Sequence, residues 1–326
     1  RHNPHNQFRQ HDIYIPSLAP LTYITFEQLF NYYDITFVYF VNLWYECYNF
    51  YVLEVIPMIK ANYHTHTARC GHAIGTDEEY VQAAIQAGLT TLGFSDHAAY
   101  PTPCPGLRMN IEQIPDYYQS IRTLQEKYAS QIDIHLGMEV EYYPSQWDTI
   151  REYRKTLDYI ILGQHNLTID KDSVYEFDNK DQVGRYVTCL EEACQHYMCD
   201  YIAHPDVFLW KYPRIDESVL NAAEKIADIS RYYDIPLELN CGSGVRTGKK
   251  EYLDGERYAY PTREFFEIFA KKKCPIIIGL DIHNPQHFLT EENLNRALSV
   301  VEGLPLNFLT DYDLVSKAKE RKKLFW

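Results

Sequence analysis

From residue 58 onward, short apolar runs alternate with longer stretches in which apolar residues recur every three or four positions. The short runs are Ile59 to Tyr63, Thr91 to Phe94, Ile132 to Val140, Tyr159 to Leu162, Tyr201 to Ala203, Pro236 to Leu239 and Pro275 to Leu280. Strand-like runs separated by helical stretches predict βα units and a parallel sheet. Between the second and third runs, Ile111, Ile114, Tyr118, Ile121, Leu124 and Tyr128 mark one face of a helix predicted over Ile111 to Tyr128. Seven such units fall one short of the common eight-unit α/β barrel. A further apolar run, Leu306 to Leu309, and a basic tail, Lys317 to Lys323, close the chain.

Residues 1–57 follow no such pattern. They are crowded with Tyr, Phe, Asn and Ile, poor in Lys and Gly, and lack a helical or strand period. Their most apolar stretch, Ile35 to Tyr45, is flanked by Asp34 and Glu46, and it is shorter than the ~20 residues a membrane helix needs. No basic start, apolar centre and small-residue cleavage site are laid out as a signal peptide requires. The expectation is that the functional domain spans 58–326, beginning at Met58, and that 1–57 is upstream translated sequence or an expression remnant outside that domain. A native, family-specific extension is the alternative.

With 326 residues the chain is long enough for one large barrel or two ordinary domains. The net charge of -14 argues against nucleic acid and against an anionic membrane surface as partners. An anionic substrate remains compatible if bound metals reverse the local field. The eight cysteines contain no CxxC pair, which points to a reducing cytoplasm. Cys189, Cys194 and Cys199 recur every five residues, a spacing that scatters them around a helix.

The candidate chemistry lies where the apolar runs give out. Six of the seven predicted strands deliver a metal-type ligand at the C-terminal end, where barrels of this kind build their sites. These ligands are His64, His97, Glu139, His165, His204 and Asp281, and His66, His72 and His283 lie close by in sequence. Side chains two apart on a strand share a face, so His64 with His66, and Asp281 with His283, can each grip one ion. Mixed imidazole and carboxylate ligation suits Zn, Mn or Fe rather than Ca. A carboxylate has two oxygens, and Glu139 is favoured over Glu141 as a bridge between ions. A lone histidine at a strand end is more often a hydrogen-bonded or surface residue than a ligand, but seven of the 13 histidines share this placement. His135 reads as structural, and His287 as lying outside the site. Asp96 and Asp206 read as carboxylates that orient neighbouring imidazoles.

Tyr63-His64-Thr65-His66-Thr67, Gly93-Phe94-Ser95-Asp96-His97-Ala98, Gly137-Met138-Glu139-Val140-Glu141, Ala203-His204-Pro205-Asp206 and Gly279-Leu280-Asp281-Ile282-His283 together resemble the PHP (polymerase and histidinol phosphatase) superfamily, most of all its monofunctional histidinol-phosphatases. The resemblance implies a distorted seven-stranded (β/α) barrel with up to three divalent metal ions at the C-terminal strand ends. His64, His66, Glu139 and Asp281 would hold the first ion, Glu139, His165 and His204 the second, and His72, His97 and His283 the third. Similar phosphatases place an arginine a few residues after the His-x-Asp motif. Here Lys211 stands nearby as a point charge, without a guanidinium's bidentate fork. Arg246, after the sixth strand, is the leading phosphate-binding candidate, and Gly242 and Gly244 beside it allow close backbone approach.

The activity implied is metal-dependent hydrolysis of a small phosphorylated substrate, L-histidinol phosphate, to L-histidinol and phosphate in histidine biosynthesis. A metal-activated water would attack phosphorus, and the ions with Arg246 or Lys211 would stabilise the developing charge. Asp281 and His283 are the candidate groups for handling the leaving-group proton. Another small phosphate ester or nucleotide is the alternative substrate, and a non-catalytic metal-stabilised module is the rival from a different class. The oligomeric state is left open.

Overall fold

A computed structural model describes residues 59–310 and 312–325. The expectation for 1–57, and for Met58 as a start, lies outside these described residues.

Eight parallel strands form one sheet in the order β1 (Ala61–Asn62), β2 (Thr91–Phe94), β3 (Asp133–Val140), β4 (Tyr159–Leu162), β7 (Tyr201–Ile202), β8 (Leu237–Asn240), β11 (Pro275–Gly279) and β12 (Asn307–Phe308). Two antiparallel hairpins, β5 (Asn166–Thr168) with β6 (Lys171–Ser173) and β9 (Lys250–Tyr252) with β10 (Gly255–Arg257), stand apart from it. The helices between strands include α1 (Asp77–Gln86), α2 (Ile114–Tyr128), α3 (Trp147–Thr156), α4 (Lys180–Gln195), α5 (Glu217–Tyr233), the single turn α6 (Ser243–Arg246), α7 (Arg263–Lys272), α8 (Glu292–Val300) and α9 (Leu314–Lys322). None of the described helices is long and apolar enough to cross a membrane.

Local chemistry accounts for these boundaries. Thr76 and Glu79 form a capping box at the start of α1, Asn179 and Gln182 form one at α4, and Asp216 caps α5 through the amides of Ser218 and Val219. Helix α2 buries Tyr117, Ile121, Leu124 and Tyr128. The predicted stripe is therefore right in period, with Tyr117 rather than Tyr118 at its centre. The segment read as the helix start, Ile111–Gln113, is a separate 3-10 turn ahead of Pro115.

The expected strand number is corrected from seven to eight. The run Leu306 to Leu309 contributes β12, whose two residues pair with Pro275 and Ile276 of β11. So short a strand is fixed by its partner and leaves no period in the sequence. Beyond the formal strands the sheet curls far enough for Thr65 to bridge Ile282. The His66 amide donates to the Ile282 carbonyl at 2.9 Å, and the Ile282 amide to the His64 carbonyl at 3.1 Å. Extensions of the first and seventh strands thus run side by side, and they carry His64, His66, Asp281 and His283.

Tyr159 lies in a buried cluster with Tyr63, Ile161, Tyr201 and Ile277. Tyr159 is fully buried, and its hydroxyl lies 2.8 Å from the carbonyls of both Tyr63 and Phe94. Gly93 and Gly137 leave its space open, since a Cβ would lie 2.3 and 2.5 Å from Tyr159 atoms. At the other end of the strands, Arg154 of α3 donates to Asp200 at 2.6 and 2.9 Å. Asp200 also accepts from the Ile160 amide, and Arg321 of α9 donates to its carbonyl. This buried ion pair ties two helices to β4 and β7. Asp200→Ala would leave Arg154 buried without its counter-charge and is expected to cost about 3–5 kcal/mol in urea unfolding. Arg154→Met combined with Asp200→Leu is expected to recover most of that loss.

Candidate metal centre

Glu139 sits near the end of β3, is only 2% exposed, and presents each carboxylate oxygen to a different group of imidazoles. Oε1 faces His204 Nε2 at 2.8 Å and His165 Nε2 at 3.5 Å. Oε2 faces His97 Nδ1 at 3.0 Å, and His64 Nε2 and His66 Nε2 at 3.5 Å each. Asp281 closes the other side, with Oδ1 3.3 Å from His66 Nε2, 3.6 Å from His64 Nε2 and 3.3 Å from His283 Nδ1. His72 and His283 meet at the rim, Nε2 to Nε2 at 3.1 Å. All nine sequence-predicted ligands therefore lie in one contiguous cluster.

Local structure explains how strands and loops achieve this. The His97 bridge to Glu139 extends β2 alongside β3. A left-handed Gly71 ends the turn Ala68–Cys70, which brings His72 back over the mouth. Glycine also makes room for the carboxylates. A Cβ on Gly163 would lie 1.8 Å from Glu139 Oε1, and one on Gly242 would lie 2.1 Å from Asp281 Oδ2. Gly244 approaches the Tyr260 carbonyl in its place. Two candidate ligands themselves take left-handed backbone, His204 with φ 27 and Asp281 with φ 49, a strain that persists only where the surroundings enforce it.

The electrostatics suit a cation. Burial alone would push Glu139 and Asp281 up, but the imidazoles of His165, His97, His64 and His204 around the first, and of His64, His283 and His66 around the second, hold both well below the usual carboxylate range. Burial holds His165, His283 and His72 below the ordinary imidazole value. For His66 burial is outweighed by Asp281, Asp96 and Glu139, which raise it to about 9. Several buried atoms have no hydrogen-bond partner, namely His64 Nε2, both ring nitrogens of His66, Glu139 Oε2 and His204 Nδ1. His72 Nδ1 donates to the Gly106 carbonyl at 3.1 Å, which directs its Nε2 lone pair at that of His283. Unpartnered donors and opposed lone pairs at this density fit divalent ions, and groups such as His64–His66–Asp281 and His72–His97–His283 each bring their ligand atoms within 4.8 Å of one another.

The cluster opens into a cavity of about 340 Å³ lined by His72, His97, His165, His204, Asp281 and His283 together with Tyr175, Trp210, Ser243, Arg246 and Tyr260. Arg246 donates from Nη2 to Ser243 Oγ at 2.6 Å, while its buried Nη1 has no partner. Lys211 is not in the lining, and this corrects its placement as a phosphate contact. Its ammonium pairs with Glu176 at 2.6 Å, because a long, exposed side chain follows the nearest carboxylate rather than its strand end. Glu141 accepts from the amides of His165 and Asn166 at 3.0 and 2.9 Å. It shapes the next loop, and the imidazoles gather on Glu139. Asp96 accepts from the Thr67 hydroxyl and lies 3.6 Å from His66 Nδ1. Asp206 instead holds the amide and hydroxyl of Thr262 at 2.7 and 2.9 Å, so the expectation that it orients an imidazole is corrected. His135 pairs with Asp133 at the start of β3, and His287 is absent from the lining.

Three residues near the cluster escaped the sequence reading. Cys70 Sγ lies within 4.8 Å of ligand atoms of His66 and His283, though burial pushes its thiol up and it donates to the Thr67 carbonyl. Tyr175 stacks on His165 at 5.9 Å from a loop with no period. Glu238 is fully buried in β8 and lies 2.7 Å from His64 Nδ1. An acidic residue inside Leu237–Asn240, in register with Asn240, was the available sign.

The sequence profile described as PHP domain matches residues 62–242. A Deinococcus radiodurans protein named probable histidinol-phosphatase is 31% identical over 236 residues, covering 68% of this chain and 85% of its own. The Bacillus subtilis histidinol-phosphatase is 31% identical over 124 residues, 35% of this chain and 46% of its own. Among solved structures, the histidinol phosphate phosphatase of Lactococcus lactis, complexed with zinc, L-histidinol and phosphate, superposes with a TM-score of 0.58 at 18% identity, covering 77% of this chain and 95% of its own.

Gly163→Ala is expected to displace Glu139 and lower bound metal per folded protein by at least half, read by elemental mass spectrometry after desalting. Gly184, with open space at its Cβ, is the control, and its alanine variant is expected to keep wild-type metal content.

Proposed function

We propose that this chain, which belongs to the PHP domain family, is a metal-dependent phosphomonoesterase that converts L-histidinol phosphate to L-histidinol and phosphate. The observation that carries the reading is the partnerless Nη1 of Arg246, buried in the wall of a cavity whose floor is the imidazole and carboxylate cluster. A guanidinium held beside a polynuclear metal site is suited to a phosphate group. The substrates of the named relatives point the same way.

His64, His66, Glu139 and Asp281 would hold one divalent ion, Glu139, His165 and His204 a second, and His72, His97 and His283 a third, with Zn, Mn or Fe as candidates. Such ions supply a water of lowered pKa and neutralise charge on a transferring phosphoryl group. Arg246 is fixed through Ser243. In this reading its free N–H donates to a non-bridging phosphate oxygen and orients the ester for in-line attack. Tyr175, Trp210 and Tyr260 form an aromatic wall, with Tyr175 and Trp210 edge to face at 5.7 Å, and the substrate's imidazole stacks against it. Asp281 and His283 also line the cavity. Residues 58–326 are proposed as the catalytic unit.

The test is a substrate panel on Mn-supplemented protein. The expected result is a kcat/KM for L-histidinol phosphate well above that for p-nitrophenyl phosphate, and equal values would contradict the substrate assignment. Arg246→Ala is expected to lower kcat/KM by about 10- to 100-fold, the ~1.5–3 kcal/mol of a charge-assisted hydrogen bond, while leaving metal content unchanged.

A further inference from the structure

We infer that Glu238 is a positioning residue for the metal centre, setting the tautomer of His64 and holding three ligands from three strands in one frame. The inference rests on the metal-centre reading above and concerns a residue that would not touch an ion.

Glu238 is 0% exposed and makes three short contacts. Oε1 accepts from His64 Nδ1 at 2.7 Å, while Oε2 accepts from the His204 amide at 2.8 Å and from Asn240 Nδ2 at 2.8 Å. Asn240 Nδ2 also lies 3.3 Å from Asp281 Oδ2, and its Oδ1 accepts from the Gly242 amide at 2.8 Å. One carboxylate in β8 therefore reaches His64 beyond β1, the backbone of His204 beyond β7 and, through Asn240, Asp281 beyond β11. Gly279 of β11 gives it room, because a Cβ there would lie 1.7 Å from Glu238 Oε1.

The consequence for His64 is chemical. With Oε1 accepting at 2.7 Å, an imidazole proton sits on Nδ1. Nε2 then faces Glu139 and Asp281, where it has no hydrogen-bond partner and is the atom left to meet an ion. A carboxylate behind an imidazole fixes ring orientation and raises its basicity as a ligand. The same contacts support the backbone of His204, which is held at φ 27.

Glu238→Gln keeps the size of the side chain but removes the charge and one acceptor. It is expected to weaken Mn binding about 10- to 100-fold, measured by chelator competition on the folded protein, and to lower metal-free stability as well, because the new amide N–H faces donors from which Glu238 now accepts. A purely structural role predicts lowered metal-free stability with unchanged Mn affinity of the folded protein, and unchanged affinity would overturn the inference. Should the metal-free variant not fold, nitrogen-15 NMR of the zinc-loaded wild type decides, with a proton on His64 Nδ1 expected and a proton on Nε2 overturning it. Wild-type protein binding less than one equivalent of Mn would instead overturn the metal-centre reading itself.

Discussion

A carboxylate buried among five imidazoles is the constraint on which the rest of this structure depends. Glu139 is almost free of solvent and has one oxygen on each side of a divided histidine cluster. An ionised group in such a place is tolerable only when opposite charge or strong donors surround it. The imidazoles meet part of that need, yet Oε2 still lacks a hydrogen bond. Divalent cations would satisfy that oxygen and the histidine lone pairs around it at once. The curl of the sheet, the bare glycines and the left-handed ligands all serve to bring these groups within a few ångströms of one another.

The surroundings follow from that crowding. Glycine stands where a Cβ would strike a carboxylate, with Gly163 against Glu139, Gly242 against Asp281 and Gly279 against Glu238. Below them Tyr159 packs with Tyr63, Ile161, Tyr201 and Ile277, and its hydroxyl lies 2.8 Å from the Tyr63 and Phe94 carbonyls at the ends of the first two strands. Above them the walls are aromatic, with one guanidinium that is only partly satisfied. The result is a polar floor of metal-type ligands under an aromatic-walled cavity.

Much of the site was legible in the sequence because its ligands obey strand geometry. His64 and His66 share a face by alternation, Asp281 and His283 repeat the pattern, and each follows a run whose β character is plain. What escaped depended on features that alternation does not encode. Lys211 has enough rotatable bonds to turn to Glu176. Asp206 was close to a ligand in sequence but faces Thr262, which lies 56 residues away. Glu238 was hidden within an apolar strand, Tyr175 arrives from an irregular loop, and β12 exists only because β11 offers it a partner. Residue order thus carried the ligands of the centre better than it carried their supports.

The most direct measurement is anomalous X-ray diffraction from crystals grown with Mn or Zn. The account predicts ions on both oxygens of Glu139, with His64, His66 and Asp281 on one side and His165 and His204 on the other. Ions bound elsewhere, or a Glu139 carboxylate that contacts none, would contradict it.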